Sequence, residues 1–166
     1  MVNFKSGVIL ALFLSAALFS GCVGGDGNAN SPRAANASNR VGENDNAART
    51  NVEELSLLVK VPYETEDIVW KEDAGSKKVI AVLRFSPVDS NKIVAEAERS
   101  GPPQNASIDV EPWFPNELTA QSEMSGDNAL KGLAYPATAF YQEPYTNGKI
   151  TRIEGGDYFV LELSAK

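Results

Sequence analysis

Glu64, Glu66 and Asp67 crowd into one short stretch, and Asp109 and Glu111 alternate with Ile108 and Val110. Neighbouring carboxylates can divide acid and base roles, as in glycoside hydrolysis or aspartyl proteolysis, or they can ligate calcium. Other chemistry is removed by inventory. The chain has no histidine and one cysteine, Cys22, so His-dependent triads and Cys/His zinc sites are excluded. Phosphate-binding glycine loops, nucleophile elbows and dinucleotide fingerprints are also missing from the sequence. A calcium loop needs alternating acidic or amide ligands closed by a glutamate, and 122–128 (SEMSGDN) does not supply that set. The first carboxylate group sits beside a turn and the second on one strand, so both read as solvated faces. No catalytic residue, metal or cofactor is assigned.

Aromatic residues beside prolines offer a different chemistry. Glu111-Pro-Trp-Phe-Pro115 and the run from Tyr135 to Tyr145 place rings on stiff, extended backbone. A sugar or peptide groove uses such rings, and so does any small β-rich core. Trp113 and Tyr145 are the candidate ligand-binding residues, expected to be half exposed if a groove exists.

These side chains need a framework, and the chain starts with a segment that cannot provide one. Lys5 precedes an apolar run from Val8 to Phe19, followed by the small residues Ser20 and Gly21. That is the layout of an export signal. The apolar run is about a dozen residues, short of the roughly 20 that span a bilayer.

Phe19-Ser20-Gly21-Cys22 closes this segment and resembles the lipobox of bacterial lipoproteins, with Phe19 standing where leucine is usual. The resemblance implies that Cys22 receives a diacylglycerol, that signal peptidase II cuts before it, and that its new amine is often acylated. Two or more acyl chains meet the condition for stable anchoring, since one chain binds only marginally. Residues 1–21 are then the signal peptide. Val23, rather than aspartate, follows Cys22, which in lipoproteins of diderm bacteria implies passage to the outer membrane, facing the periplasm or the exterior.

Residues 22–51 read as the lipidated cysteine and a disordered tether. Val23 and Val41 are its only large apolar side chains apart from Cys22 itself, among Asn, Ala, Gly and Ser. Such a stretch cannot bury enough surface to offset the entropy of ordering. As a flexible coil it reaches about 30 Å.

Residues 52–166 read as a single α+β domain. Leu55, Leu57, Val59 and Val61 alternate as in a strand, Asp67 to Lys71 predicts a second, and Lys78 to Phe85 a third with Val79, Ala81, Leu83 and Phe85 on one side. Ser86-Pro87 starts the principal helix, with Ile93, Val94 and Ala97 as its buried stripe, a Lys92–Glu96 pair, and a stop at Gly101-Pro102-Pro103. A short strand near Ala106 to Val110 and a short helix around Asn116 to Gln121 follow. Thr138 to Gln142, Lys149 to Glu154 and Tyr158 to Leu163 predict a C-terminal antiparallel meander, with turns at Asn147-Gly148 and Gly155-Gly156. The sheet is expected to be mostly antiparallel.

Of the chain's 22 acids, 19 fall in residues 52–166, against 11 of its 15 lysines and arginines. An acidic domain is a poor partner for nucleic acid and for anionic headgroups. The expected protein is an exported, membrane-anchored monomer of the cell envelope. Its domain reads as a non-catalytic binding or accessory module, touching lipid through Cys22 and a protein or envelope polymer through its folded part. An acidic inhibitor or immunity-type protein against a cationic enzyme or toxin is the alternative, and a carboxylate-dependent hydrolase is the third reading.

Overall fold

A computed structural model describes residues 47–126 and 128–166. The expected signal segment, Cys22 and all of the expected tether before residue 47 lie outside the described residues. Among the described residues, six strands form one sheet in the order β1-β2-β6-β5-β4-β3, each antiparallel to its neighbours. They are β1 (Thr65–Asp73), β2 (Lys78–Phe85), β3 (Gln104–Asp109), β4 (Ala129–Pro136), β5 (Tyr145–Ile153) and β6 (Tyr158–Ala165). With the helices α1 (Val52–Ser56), α2 (Pro87–Glu98) and α3 (Asn116–Ser125) this is an α+β fold.

Period-two alternation in β2 and β6 gives the sheet two faces. Val79, Ala81 and Leu83 lie opposite Leu163, Leu161 and Phe159, and Phe85 meets Phe159 edge to face at 5.6 Å. On this first face Leu55, Trp70, Ile93, Ala97, Phe140 and Tyr145 complete the larger core. The second face carries Val82, Val160, Ile153, Leu130 and Ile108, covered by Phe114 and Leu118.

Helix α2 connects β2 to β3 at the far edge of the sheet and covers the first face. Ser86 Oγ accepts the Asp89 N–H at 3.2 Å, and Pro87 occupies the first turn. The expected Lys92–Glu96 pair is not the one made. Lys92 bonds Asp89 at 2.8 Å, and Glu96 instead accepts the Tyr63 hydroxyl at 2.9 Å. An acid N-terminal to its lysine is the better order on a helix, and Lys92–Glu96 has the reverse order.

Three local expectations are corrected. Residues 55–61 form no strand: Asn51 Oδ1 caps α1 by accepting the Glu54 N–H at 3.0 Å. Leu55 and Val59, one helical turn apart, are fully buried, while Leu57 is 76% exposed. Thr138 to Gln142 is also not a strand, because Thr138–Phe140 is a 3-10 turn and the missing strand is β4. Within β4, position 132 takes glycine because an added Cβ would collide with the Arg152 carbonyl oxygen.

Asn147-Gly148 is no hairpin turn. It lies inside β5 beside an irregularity between Tyr145 and Asn147, with Gly148 at φ 149°. Tyr141 fills the gap that this opens in the ladder. Its hydroxyl accepts the Gly148 N–H at 3.2 Å and donates to the Gly148 carbonyl at 3.0 Å. Helix α3 runs on to Ser125 and ends at Gly126 in the left-handed region, φ 76°.

Ordered pairing begins before Val52. Arg49 and Trp70 exchange both backbone hydrogen bonds at 2.8 Å, and the Trp70 indole donates to the Asn51 carbonyl at 3.0 Å. The Arg49 guanidinium lies 4.9 Å from the Trp70 ring centre. The folded part therefore includes residues 49–51, which the sequence reading assigned to the tether.

Candidate ligand-binding groove

The turn between β1 and β2 is built by Asp73. Its Oδ1 accepts the Gly75 and Ser76 N–H groups at 3.0 and 3.1 Å, and its Oδ2 accepts the Ser76 hydroxyl at 2.6 Å. This is the side-chain-to-backbone bonding that makes aspartate a turn former. The Ser76 hydroxyl, ahead of the backbone donors, holds the Asp73 carboxyl below its ordinary range.

Past the end of β3, residues 110–115 bring Trp113 to the second face of β1. Phe114, 5% exposed, anchors this strap in the core and meets Trp113 edge to face at 4.7 Å. Trp113 itself is half-buried. Its indole N–H donates to Glu111 Oε2 at 2.6 Å, and Lys71 Nζ lies 5.6 Å from its ring centre.

The strap and the hairpin enclose a groove of about 180 Å³ lined by Lys71, Glu72, Asp73, Ser76, Lys78, Ile80, Glu111 and Trp113. Three carboxylates, two ammonium groups, a hydroxyl and an indole thus share one space. Glu72 joins it from the edge. Its Oε1 accepts the Tyr145 hydroxyl at 2.6 Å.

Of the two aromatic residues expected at a groove, Trp113 lines one. Tyr145 is corrected: it is 4% exposed and belongs to the first-face core. The irregularity between Tyr145 and Asn147 turns its ring inward, where strict alternation would place it on the exposed face with Asn147 and Lys149, so only its hydroxyl reaches the rim, through Glu72. Burial and the Glu72 carboxylate push the Tyr145 hydroxyl up to about 12.

The carboxylates singled out in the sequence do not converge. Glu66 pairs with Arg84 at 3.5 Å at the far end of β1 from the groove. Asp67 accepts the Ile68 N–H at 2.9 Å and the Tyr158 hydroxyl at 3.3 Å. Glu64 and Asp109 are exposed, and Glu111 alone of the five lines the groove. Among the described residues no group of three acidic, histidine or cysteine side chains is placed to hold a metal ion. Lys71, Glu72, Asp73, Ser76 and Lys78 escaped the sequence reading, although Asp73-Ala-Gly-Ser76 is itself a turn signal.

A second, wider hollow of about 390 Å³ lies at the β5–β6 turn, lined by Leu133, Arg152, Ile153, Glu154, Gly155, Gly156 and Asp157. Much of its wall is turn backbone, and Arg152 is held by Asp157 at 3.2 Å. Recognition chemistry is denser in the smaller groove. Comparison with protein-family models, with curated proteins and with solved structures gives no match to this chain.

Proposed function

We propose that this chain is an envelope-anchored bacterial lipoprotein whose domain is a non-catalytic binding or accessory module. The observation that carries the anchor is Ser20-Gly21-Cys22 placed directly after an apolar run of signal-peptide length. Lipid on Cys22 fixes the chain to a membrane, the outer one in a diderm host, and residues 23–48 separate that anchor in sequence from Arg49.

The binding role is supported by how the groove uses its carboxylates. Glu72 accepts from Tyr145, Asp73 from Ser76 and Glu111 from Trp113. Each is held as an acceptor by a neighbouring donor, which favours fixed recognition over the proton donation a glycosidase acid must perform. The acidic balance of residues 52–166 favours the alternative reading, an inhibitor of a cationic enzyme.

Affinity capture from envelope extract with the full chain separates these readings. A module that recognises its ligand through the groove keeps its partner in high salt and loses it with Trp113→Ala. An acidic inhibitor releases its partner in high salt. Capture of nothing at either salt concentration would count against both.

A further inference from the structure

Beside the strap, no element among the described residues covers the second face of the sheet. Direct pairing places Lys71, Ile80, Glu162 and Lys149 in one row across β1, β2, β6 and β5. Asp73, Lys78, Ser164 and Asn147 form the adjacent row. The inter-strand spacing makes each row about 15 Å long, and the two-residue repeat sets the rows about 7 Å apart. Every member is at least partly exposed, and Lys149 and Glu162 face each other at 3.0 Å with side chains 46% and 35% exposed.

The chemistry of this shelf is balanced. Lys71, Lys78 and Lys149 are matched by Asp73 and Glu162 on the rows and by Glu111 on the strap. Cations and anions alternate instead of segregating, and Asn147, whose Nδ2 donates to Ser164 Oγ at 3.1 Å, keeps an amide oxygen and a second amide hydrogen for a ligand. A polyanion would meet the negative field of the domain, and a polycation would meet lysines along the rows. A ligand whose hydroxyls donate and accept in turn suits alternating partners. Trp113 closes the β1 end of the shelf with a half-exposed ring, the surface on which the apolar face of a sugar packs.

We propose that this shelf binds an uncharged polysaccharide, laid across β1, β2, β6 and β5 with one sugar in the groove against Trp113. The proposal deepens the binding-module reading and rests on it. Lys78 and Lys149 donate to ring hydroxyls, Asp73 and Glu162 accept from them, and Trp113 supplies the apolar contact.

The test is co-sedimentation of the full chain, in detergent, with cellulose, chitin, insoluble β-glucan and starch, with heparin–agarose as the polyanion control. The expected result is retention by at least one neutral polymer, unchanged by high salt, and weakened about tenfold by Trp113→Ala, the loss of one aromatic anchor. Lys78→Ala removes an exposed side chain from the second row. It should weaken retention several-fold and leave the thermal midpoint unchanged, which separates a lost contact from a lost fold. Retention by none of the four neutral polymers, by heparin alone, or equally by wild type and both variants overturns the proposal. Failure on all four neutral polymers overturns the polysaccharide assignment alone, because a salt-resistant envelope partner captured by wild type and lost with Trp113→Ala would still support the binding-module reading.

Discussion

The Tyr145 hydroxyl donates to Glu72 Oε1 at 2.6 Å, reaching from β5 past β6 and β2 to β1. One bond thus ties the first-face core to the rim of the groove. Tyrosine is neutral in the fold, and burial with the nearby Glu72 carboxylate raises its pKa from 10.0 to about 12. The unfolded chain gives up this proton first as pH rises, so stability is retained below about pH 10 and falls through about pH 12. Burial also raises Tyr63, Tyr135 and Tyr158, and they add to the same alkaline loss. Urea unfolding across this range should show the decline, and Tyr145→Phe should make it shallower. At neutral pH the same substitution should cost about 1–2 kcal/mol, because Glu72 loses a donor.

Residues 49–51 should stabilise the fold although they resemble tether. A chain beginning at Val52 lacks the Asn51 cap and both Arg49–Trp70 backbone bonds, and it leaves the buried Trp70 indole without its acceptor. Relative to a chain beginning at Ala47, it should lose about 2–4 kcal/mol in denaturant unfolding. Asn51→Ala alone should cost about 1 kcal/mol.

Two glycines separate packing from turn freedom. Gly132→Ala drives a Cβ into the Arg152 carbonyl oxygen of the neighbouring strand, and should cost about 1–3 kcal/mol or prevent folding. Gly156→Ala meets nothing closer than 4.0 Å and should leave stability within about 1 kcal/mol of wild type. Thermal unfolding of the two variants side by side reads the contrast.

The legible parts of the sequence were those whose local pattern and tertiary role agree. Lys78–Phe85 alternates and is a central strand, and Ser86-Pro87 caps a helix whose Ile93 and Ala97 are buried. Where two patterns coincide, packing decided. Leu55, Leu57, Val59 and Val61 fit a strand, but Leu55 and Val59 also fit one helical turn, and the Asn51 cap selects the helix. Asn147-Gly148 is a turn signal by composition, but Tyr141 supplies the missing ladder partner and keeps it within β5. The candidate site was half legible for a related reason. Proline-flanked rings announce stiff backbone, not the face on which a ring lands, so Trp113 reached a groove while Tyr145 entered the core. Glu72, Asp73 and Lys78 meet Glu111 and Trp113 only because the strap returns from the opposite edge of the sheet, a juxtaposition that no local pattern encodes.

Lipidation of Cys22 is read most directly by intact mass and palmitate labelling of the protein recovered from membranes of its host. The predicted result is a mature chain beginning at Cys22 and carrying a diacylglycerol with or without a further acyl group, with Cys22→Ser unprocessed and unlabelled. A mature chain with an unmodified Cys22 thiol, or equal labelling of Cys22→Ser, would contradict the anchor and with it the envelope-tethered role.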